Sequence, residues 1–373
     1  MDVGVMNKTI SGFDLPGSPL NDSAPSKSES CDGSLILLSI CIPSYNRPAG
    51  LAKLLSSVDC SPEAIEIVVA EDGSPRRAEI REVANLFQES SMYKFKYLEN
   101  GENLGFDGNV RGLVRAANGQ YVMFIGDDDE FLPGALDEFL EYLSENTQAK
   151  YILRSYSVEH DTGLIEVFRY RKSSMVLEPG QAMVTWLFKR SVTISGFTID
   201  RTCALEYETN ELDGTLLYQV YLMAATCLSS PSAYCNTPVA LVSQTYREDA
   251  PMFGSAKAES GKYTPGRVTE DNSINFTKSY FEVTEFLDAQ FGVTLTELVR
   301  LELSKYSYPF LSIQRKRGLR PFLAYANRLA RETGLDASPM FHVYKWGLAL
   351  GGERFCDSAI ARVKGLVGHA PNI

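Results

Sequence analysis

Four acids stand in a row at Asp127, Asp128, Asp129 and Glu130, directly after the apolar run YVMFIG. Residues 121–136 contain no Lys or Arg to offset them. Like charges crowded at the end of a buried segment repel unless a cation or solvent screens them. A hard divalent ion does this well, taking carboxylate oxygens from one or two residues and filling its other positions with phosphate oxygens and water. The cluster therefore suits metal-assisted binding of a diphosphate-bearing nucleotide; a solvated turn is the plain alternative. Asp72 in AEDGS offers a carboxylate to a base N–H or to ribose hydroxyls, or closes an Asx turn with Gly73. Asn46 and Arg47 in PSYNR suit either a helix-capping loop or a grip on base or phosphate. NLGFDGN, which opens with Asn103, suits either a simple loop and N-cap or a segment that sets Arg111, one turn into the following helix, facing the same crevice to help hold a phosphate.

These groups need elements that bring them together. Leu35 to Ile42 is a near-continuous apolar run, as a strand covered on both faces requires. AGLAKLLSSV then has helical spacing, AIEIVVAEDGS reads as a second strand, and RRAEIREVANLFQES as a helix. YKFKYLEN is a third strand, GNVRGLVRAANG a helix stopped by Gly119, QYVMFIG a fourth strand, and PGALDEFLEYLSE a helix. Strand and helix in alternation predict βαβ units with right-handed crossovers, hence an α/β fold with a largely parallel sheet flanked by helices. Such sheets bind ligands at the carboxyl ends of their strands. PSYNR, EDGS and GDDDE all fall there. Beyond residue 150 the expectation is strands at KYILRSYSV, IEVFRYR and TPVALVSQTYR, a helix at DGTLLYQVYLMAATCLS, and a mostly helical C-terminal region from about 272. The expected division is a disordered tail at 1–33, a nucleotide-binding and catalytic domain at 34–250, and a mobile loop with a helical region at 251–373.

Bulk composition narrows the function classes. Of 373 residues 44% are apolar and 22% charged, enough for a sizeable core. The net charge of −11 argues against non-specific nucleic-acid binding and is unfriendly to anionic substrates unless a cation intervenes. Seven cysteines without a CxxC pair, and three separated histidines, support neither a zinc site nor a disulfide framework. No run has the length of a membrane span and no secretory leader pattern is visible, so the expected location is cytoplasmic.

The segments LSICIPSYNRPAGLAKLLSSV, EIVVAEDGS and NLGFDGNVRGLVRAANGQYVMFIGDDDE resemble, in this order and spacing, the nucleotide-binding half of family 2 glycosyltransferases, the inverting enzymes of GT-A fold. NLGFDGN and the glycine before the acids resemble the abequosyltransferase-like bacterial branch. The resemblance implies a nucleotide-sugar donor, Mg²⁺ or Mn²⁺, a sugar or lipid-linked saccharide acceptor, and inversion at the transferred carbon, in bacterial surface-polysaccharide or lipid-linked glycan synthesis. By the same resemblance Pro43, Tyr45 and Arg47 match the first-strand loop, and Asp72 the acid that contacts base or ribose. Asp127 to Asp129 match the Asp-x-Asp signature, with Asp129 and Asp127 as metal ligands and Asp128 as the rival. Many family members carry an acid where this chain has Gly126. A sugar-phosphate nucleotidyltransferase is a weaker fit, because IPSYNRP lacks a Gly-rich basic loop; a catalytically degenerate nucleotide-sugar binder is the remaining alternative.

Inverting transfer needs a carboxylate to take the acceptor's proton. Family members place it at an acidic pair opening a helix, which points to Asp213, with Glu211 second, in EYETNELDGTLLYQVYLM. Asp213 equally suits a helix cap. TYREDAPMFGSAKAESGKYTPGR reads as a lid, from which Arg247 would meet the diphosphate, or as a surface loop. Between Arg300 and Arg331 eight basic residues face one acid, interleaved with Phe322, Tyr325 and Leu329. That pattern suits peripheral contact with an anionic bilayer, or a solvated basic face over a helical subdomain.

Overall fold

The computed structural model describes residues 36–160, 163–243 and 253–367, and Leu35–Ile373 form one compact unit. The first half alternates strand and helix: β1 (Leu38–Ser44), α1 (Pro48–Ser56), β2 (Ile65–Glu71), α2 (Arg77–Ser90), β3 (Lys94–Glu99), α3 (Gly105–Ala116), β4 (Tyr121–Phe124), β5 (Glu130–Phe131) and α4 (Ala135–Glu145). Then come β6 (Tyr151–Glu159), β7 (Ile165–Phe168), β8 (Met175–Leu177), α5 (Gln181–Phe188), β9 (Phe197–Asp200), α6 (Arg201–Glu206), α7 (Tyr218–Cys227) and β10 (Ser232–Ser243). The C-terminal region holds α8 (Glu270–Phe291), α9 (Leu295–Lys305), α10 (Tyr308–Ser312), α11 (Leu319–Thr333) and α12 (Pro339–Val367), the last kinked at Gly352, whose φ of 74° is not helical.

The main sheet runs β3-β2-β1-β4-β9-β6-β10-β5. Its first four strands are parallel, as the βαβ pattern predicts. Past β4 the sheet is mixed. β9 is antiparallel to both β4 and β6, β10 is parallel to β6, and β5 is antiparallel to β10. β9 is four residues long, too short for its alternation to stand out, and the sequence gives no sign of it.

Strand alternation splits the core between the sheet's two faces. Leu38, Ile40 and Ile42 of β1 pack with Leu51, Leu54 and Phe139 from α1 and α4. Cys41, on the other face, packs with Val110 and Leu113 of α3 in a cluster that continues through Tyr218 and Leu222 into Phe281, Phe322 and Leu329. The C-terminal helices thus share a core with the sheet. Phe322, Tyr325 and Leu329 are fully buried, so the aromatics of the basic segment face inward and are closed to a bilayer. No helix among the described residues is long and apolar enough to cross a membrane.

Gly119 does not stop α3. The helix ends at Ala116, and Ala117 leaves in an extended conformation. Gly119 is needed for space, since a Cβ there would lie 2.7 Å from the Ser39 backbone nitrogen.

Candidate active site

A crevice of about 770 Å³ opens at the carboxyl ends of β1, β2 and β4. Of the residues expected at a ligand site, Pro43, Tyr45, Arg47, Asp72, Asn103, Asp127 and Asp128 line it. Ser44, Gly105, Phe106, Asn109 and Gly126 complete this side, and Ile194, Ser243, Phe253, Ser255, Glu259 and Ile313 close the other.

The strand-end acids are held one by one. Asp127 is buried; its Oδ2 accepts from the Tyr45 backbone N–H at 3.0 Å and its Oδ1 from Arg47 Nη1 at 2.8 Å. Burial pushes its carboxyl above the usual range while Arg47 pulls it back. Arg47 Nη1 also lies 3.4 Å from Asp128 Oδ2, and the Asp128 side chain stays 38% exposed. Asp129 turns away: Oδ1 accepts from the Ser243 N–H at 3.0 Å and Oδ2 from the Ser195 hydroxyl. Burial, then the neighbouring Asp128 charge, pushes the Asp129 carboxyl up to about 7. Glu130 pairs with Lys53 at 2.5 Å. The cations absent from residues 121–136 therefore come from α1 and the loop before it. Gly50 allows that approach, because a Cβ there would sit 2.5 Å from the Asp127 carbonyl oxygen.

The acids expected to hold a metal differ in how they are placed. Asp129 does not line the crevice and spends both oxygens on Ser195 and Ser243, and Asp127 is neutralised by Arg47. Asp128 is the carboxylate that faces the crevice with room. Among the described residues no three His, Cys, Asp or Glu side chains converge into a metal cage. An ion held by one carboxylate and by substrate phosphates fits this donor set; an all-protein site does not. A Cβ on Gly126 would meet Asp128 Oδ1 and Asp129 Oδ2, each at 3.1 Å, so a further acid there would crowd both.

Asp72 is buried at the end of β2, its Oδ1 accepting from the Leu104 N–H at 2.9 Å and from Asn100 Nδ2 at 2.8 Å. Burial raises its pKa against these bonds. In the β1 loop Asn46 takes a left-handed backbone conformation (φ 64°), which Asn tolerates better than most residues. Ser44 Oγ, on a crevice-lining residue, and Asn46 Oδ1 are buried without hydrogen-bond partners among the described residues. Buried polar atoms left unpaired beside a cleft are groups a ligand can satisfy.

Three expectations move. Arg111 does not face the crevice: it donates to Asp213 Oδ1 and Oδ2 at 2.5 and 2.8 Å and to the Thr209 carbonyl at 3.1 Å, with its guanidinium 5.6 Å from the Tyr218 ring centre. Asp213 neither lines the crevice nor caps α7, which begins five residues later at Tyr218. Glu211 is exposed and also lies outside the crevice lining. The turn before α7 is organised by Asp107 instead, which accepts from the Gly214, Leu216 and Tyr218 N–H groups at 2.9, 2.9 and 3.0 Å. Burial pushes Asp107 up to about 6. Arg247 lies outside the described residues.

Sequence reading missed Glu259. It is 2% exposed, lines the crevice, and accepts from the Phe106 N–H at 3.1 Å and the Gly254 N–H at 2.5 Å. The segment around it is tied down further by Asn103 Nδ2 to Ser255 Oγ at 3.0 Å and Ser255 Oγ to Tyr45 Oη at 3.3 Å. The part of the expected lid that starts at Phe253 contributes Phe253, Ser255 and Glu259 to the crevice wall. No local signal marked Glu259, because its partner Phe106 is 153 residues away.

The Glycosyl transferase family 2 model matches residues 39–192. An abequosyltransferase of Salmonella typhimurium, RfbV, is 32% identical over 111 residues, 29% of this chain and 33% of the relative. The GalNAc(5)-diNAcBac-PP-undecaprenol beta-1,3-glucosyltransferase of Campylobacter jejuni is 31% identical over 109 residues, 29% of this chain and 35% of the relative. The chain spans about a third of the length of the curated relatives it matches. The solved structure of S. aureus TarS 1-349 in complex with UDP-GlcNAc aligns at 13% identity with a TM-score of 0.47, over 83% of this chain and 89% of that one. Residues 39–192 thus carry a match to the Glycosyl transferase family 2 domain.

Proposed function

We propose that the protein transfers a sugar from a nucleotide-sugar donor to an acceptor hydroxyl, with inversion at the transferred carbon. The observation that carries this is the crevice at the ends of β1, β2 and β4, where Asp72 sits on one side and Arg47 clamps Asp127 while Asp128 stays open on the other. Asp72 and Asn103 suit the base and ribose, and Ser44 Oγ adds an unpaired group. Arg47 suits the diphosphate. A Mg²⁺ or Mn²⁺ ion fits at Asp128, where it would neutralise charge on the departing diphosphate.

The acceptor oxygen attacks the anomeric carbon as the bond from that carbon to the diphosphate oxygen breaks, its electron pair leaving with the phosphate. The acceptor's proton passes to a carboxylate on the chain. Asp127 is paired with Arg47, Asp128 stands on the diphosphate side and Asp72 on the base and ribose side; the crevice carboxylate that remains is Glu259, whose oxygens accept from the Phe106 and Gly254 N–H groups and carry no cation among the described residues. We assign it the base in place of Asp213, whose carboxylate is doubly bonded by Arg111.

Bacterial surface-polysaccharide or lipid-linked glycan synthesis is the setting we infer, with a saccharide acceptor that is free or lipid-linked. We assign peripheral bilayer contact to α12, where Val343, Trp346, Leu350 and Phe355 are exposed near Lys345 and Arg354. Co-sedimentation with phosphatidylglycerol vesicles that survives Trp346→Glu combined with Leu350→Glu would remove that assignment.

The transferase reading is tested by incubating the protein with Mn²⁺ and a panel of UDP-, GDP-, dTDP- and CDP-sugars and following nucleotide release. One donor should bind and turn over, and EDTA and Asp128→Ala should each suppress release. Failure of every donor to bind sinks the reading.

A further inference from the structure

A second cavity, of about 340 Å³, adjoins the crevice and shares Phe106, Ile194, Phe253 and Ile313 with it as common wall. Tyr263, Val268 and Phe276 line its far side. This volume lies in the range of small-molecule sites. Its lining is apolar and aromatic, and nearly every polar group in it is already satisfied. Asn272 donates to the carbonyls of Thr264 and Arg267 and accepts from the Thr264 N–H. Ser273 Oγ donates to the Thr269 carbonyl and accepts from Gln314 Nε2. Tyr263 Oη bonds Ser279 Oγ at 3.0 Å. Gln219 is different. It is 1% exposed and donates Nε2 to the Val192 carbonyl at 3.0 Å, but its Oε1 is buried with no partner among the described residues.

We infer that this cavity is the acceptor subsite, and that it takes a sugar with a methyl-bearing, hydroxyl-poor face and one O–H or N–H that donates to Gln219 Oε1. This rests on the transferase reading, which needs an acceptor hydroxyl beside the donor crevice. The chemistry belongs to 6-deoxy sugars and to N-acetylated amino sugars. Their methyl groups gain from burial against Phe106, Phe253 and Phe276, whereas each additional hydroxyl would lose its water without finding a partner, at roughly tenfold or more in affinity. The one orphan acceptor atom explains why a wholly apolar occupant is not the best fit: an alkyl chain would leave Gln219 Oε1 unpaired.

The test is a donor-free ligand-observed NMR titration of the full chain with methyl 6-deoxyhexosides and methyl N-acetylhexosaminides, each compared with its fully hydroxylated parent. One of the two methyl-bearing classes should bind at least tenfold tighter than its parent, and which class does so tells a ring methyl from an acetamido group. Gln219→Leu should weaken the favoured class about tenfold, and Val268→Asn, at a wall position 39% exposed and tolerant of change, should erase the preference. Equal affinity across each pair, or a preference unmoved by both variants, overturns the inference. Nucleotide-sugar binding titrated in parallel reports on the transferase reading alone: its loss with the glycoside preference intact would overturn that reading and leave the cavity's chemistry standing.

Discussion

Two groups of acids, one at the end of β4 and one by the N-terminus of α3, are neutralised differently. At the end of β4, Arg47 serves Asp127 and reaches Asp128, while Asp129 relies on a hydroxyl and a backbone N–H. Near the N-terminus of α3, Arg111 is spent on the single carboxylate of Asp213, and Asp107 takes three backbone N–H groups. The second arrangement closes on itself: a bidentate arginine pair and a fully bonded carboxylate fix the turn before α7. The first leaves one arginine shared between two acids, with a carboxylate facing the crevice. Leftover negative charge beside a cation is a site a metal–diphosphate can complete. The two groups differ in how many acids each arginine reaches: Arg47 two, Arg111 one.

The largest expected effect is on Glu259, the crevice carboxylate held by the Phe106 and Gly254 N–H groups. Glu259→Gln should lower transfer about 10²–10⁴-fold with donor affinity retained; Asp213→Asn should instead cost stability and little turnover. If the Asp213 variant loses turnover while still folded and the Glu259 variant does not, the base returns to the helix-entry turn. Next, Asp128→Asn should reduce turnover on the order of 10²–10³-fold, and Asp129→Asn far less. Steady-state nucleotide release reads both.

Stability separates the groups further. Asp107→Ala strands buried N–H groups and should cost about 3 kcal/mol in urea unfolding. The pH dependence has a definite sign. Asp107 is raised to about 6 in the fold, against about 4 unfolded. The fold therefore binds the extra proton, and the stability this adds is present at low pH and lost as pH rises from 4 through 6. Asp107→Asn should flatten that decline, and a slope identical to wild type would exclude Asp107 as its source. The smallest effect belongs to Lys53→Ala, whose exposed pair with Glu130 should change stability by about 0.5 kcal/mol or less.

The parallel half of the fold and its three strand-end motifs were legible in the sequence because buried parallel strands are long apolar runs and their ligand loops follow at once. What escaped was non-local. The Arg111–Asp213 pair spans 102 residues, and Glu259 reaches Phe106 across 153. Arg111 therefore looked like a phosphate ligand, and Asp213 like a free base or cap. The spacing of Phe322, Tyr325 and Leu329 did mark an apolar helix face, but spacing cannot tell a face that meets lipid from one that meets a core. Asp129 was favoured over Asp128 because nothing near it in sequence shows that Ser195 and Ser243 will occupy its oxygens.

Those two serines bear on how the chain is made. Both lie beyond residue 192, where the family match ends, as does Glu259. As the chain emerges from synthesis, β4 and its acids are complete long before the hydroxyl of Ser195, the N–H of Ser243 or the wall carrying Glu259 exists. An expression fragment cut at the family boundary would hold Asp129 with both oxygens stripped of their partners. The recognisable segment is the oldest part of the crevice in order of translation, but it becomes a site only when the rest arrives.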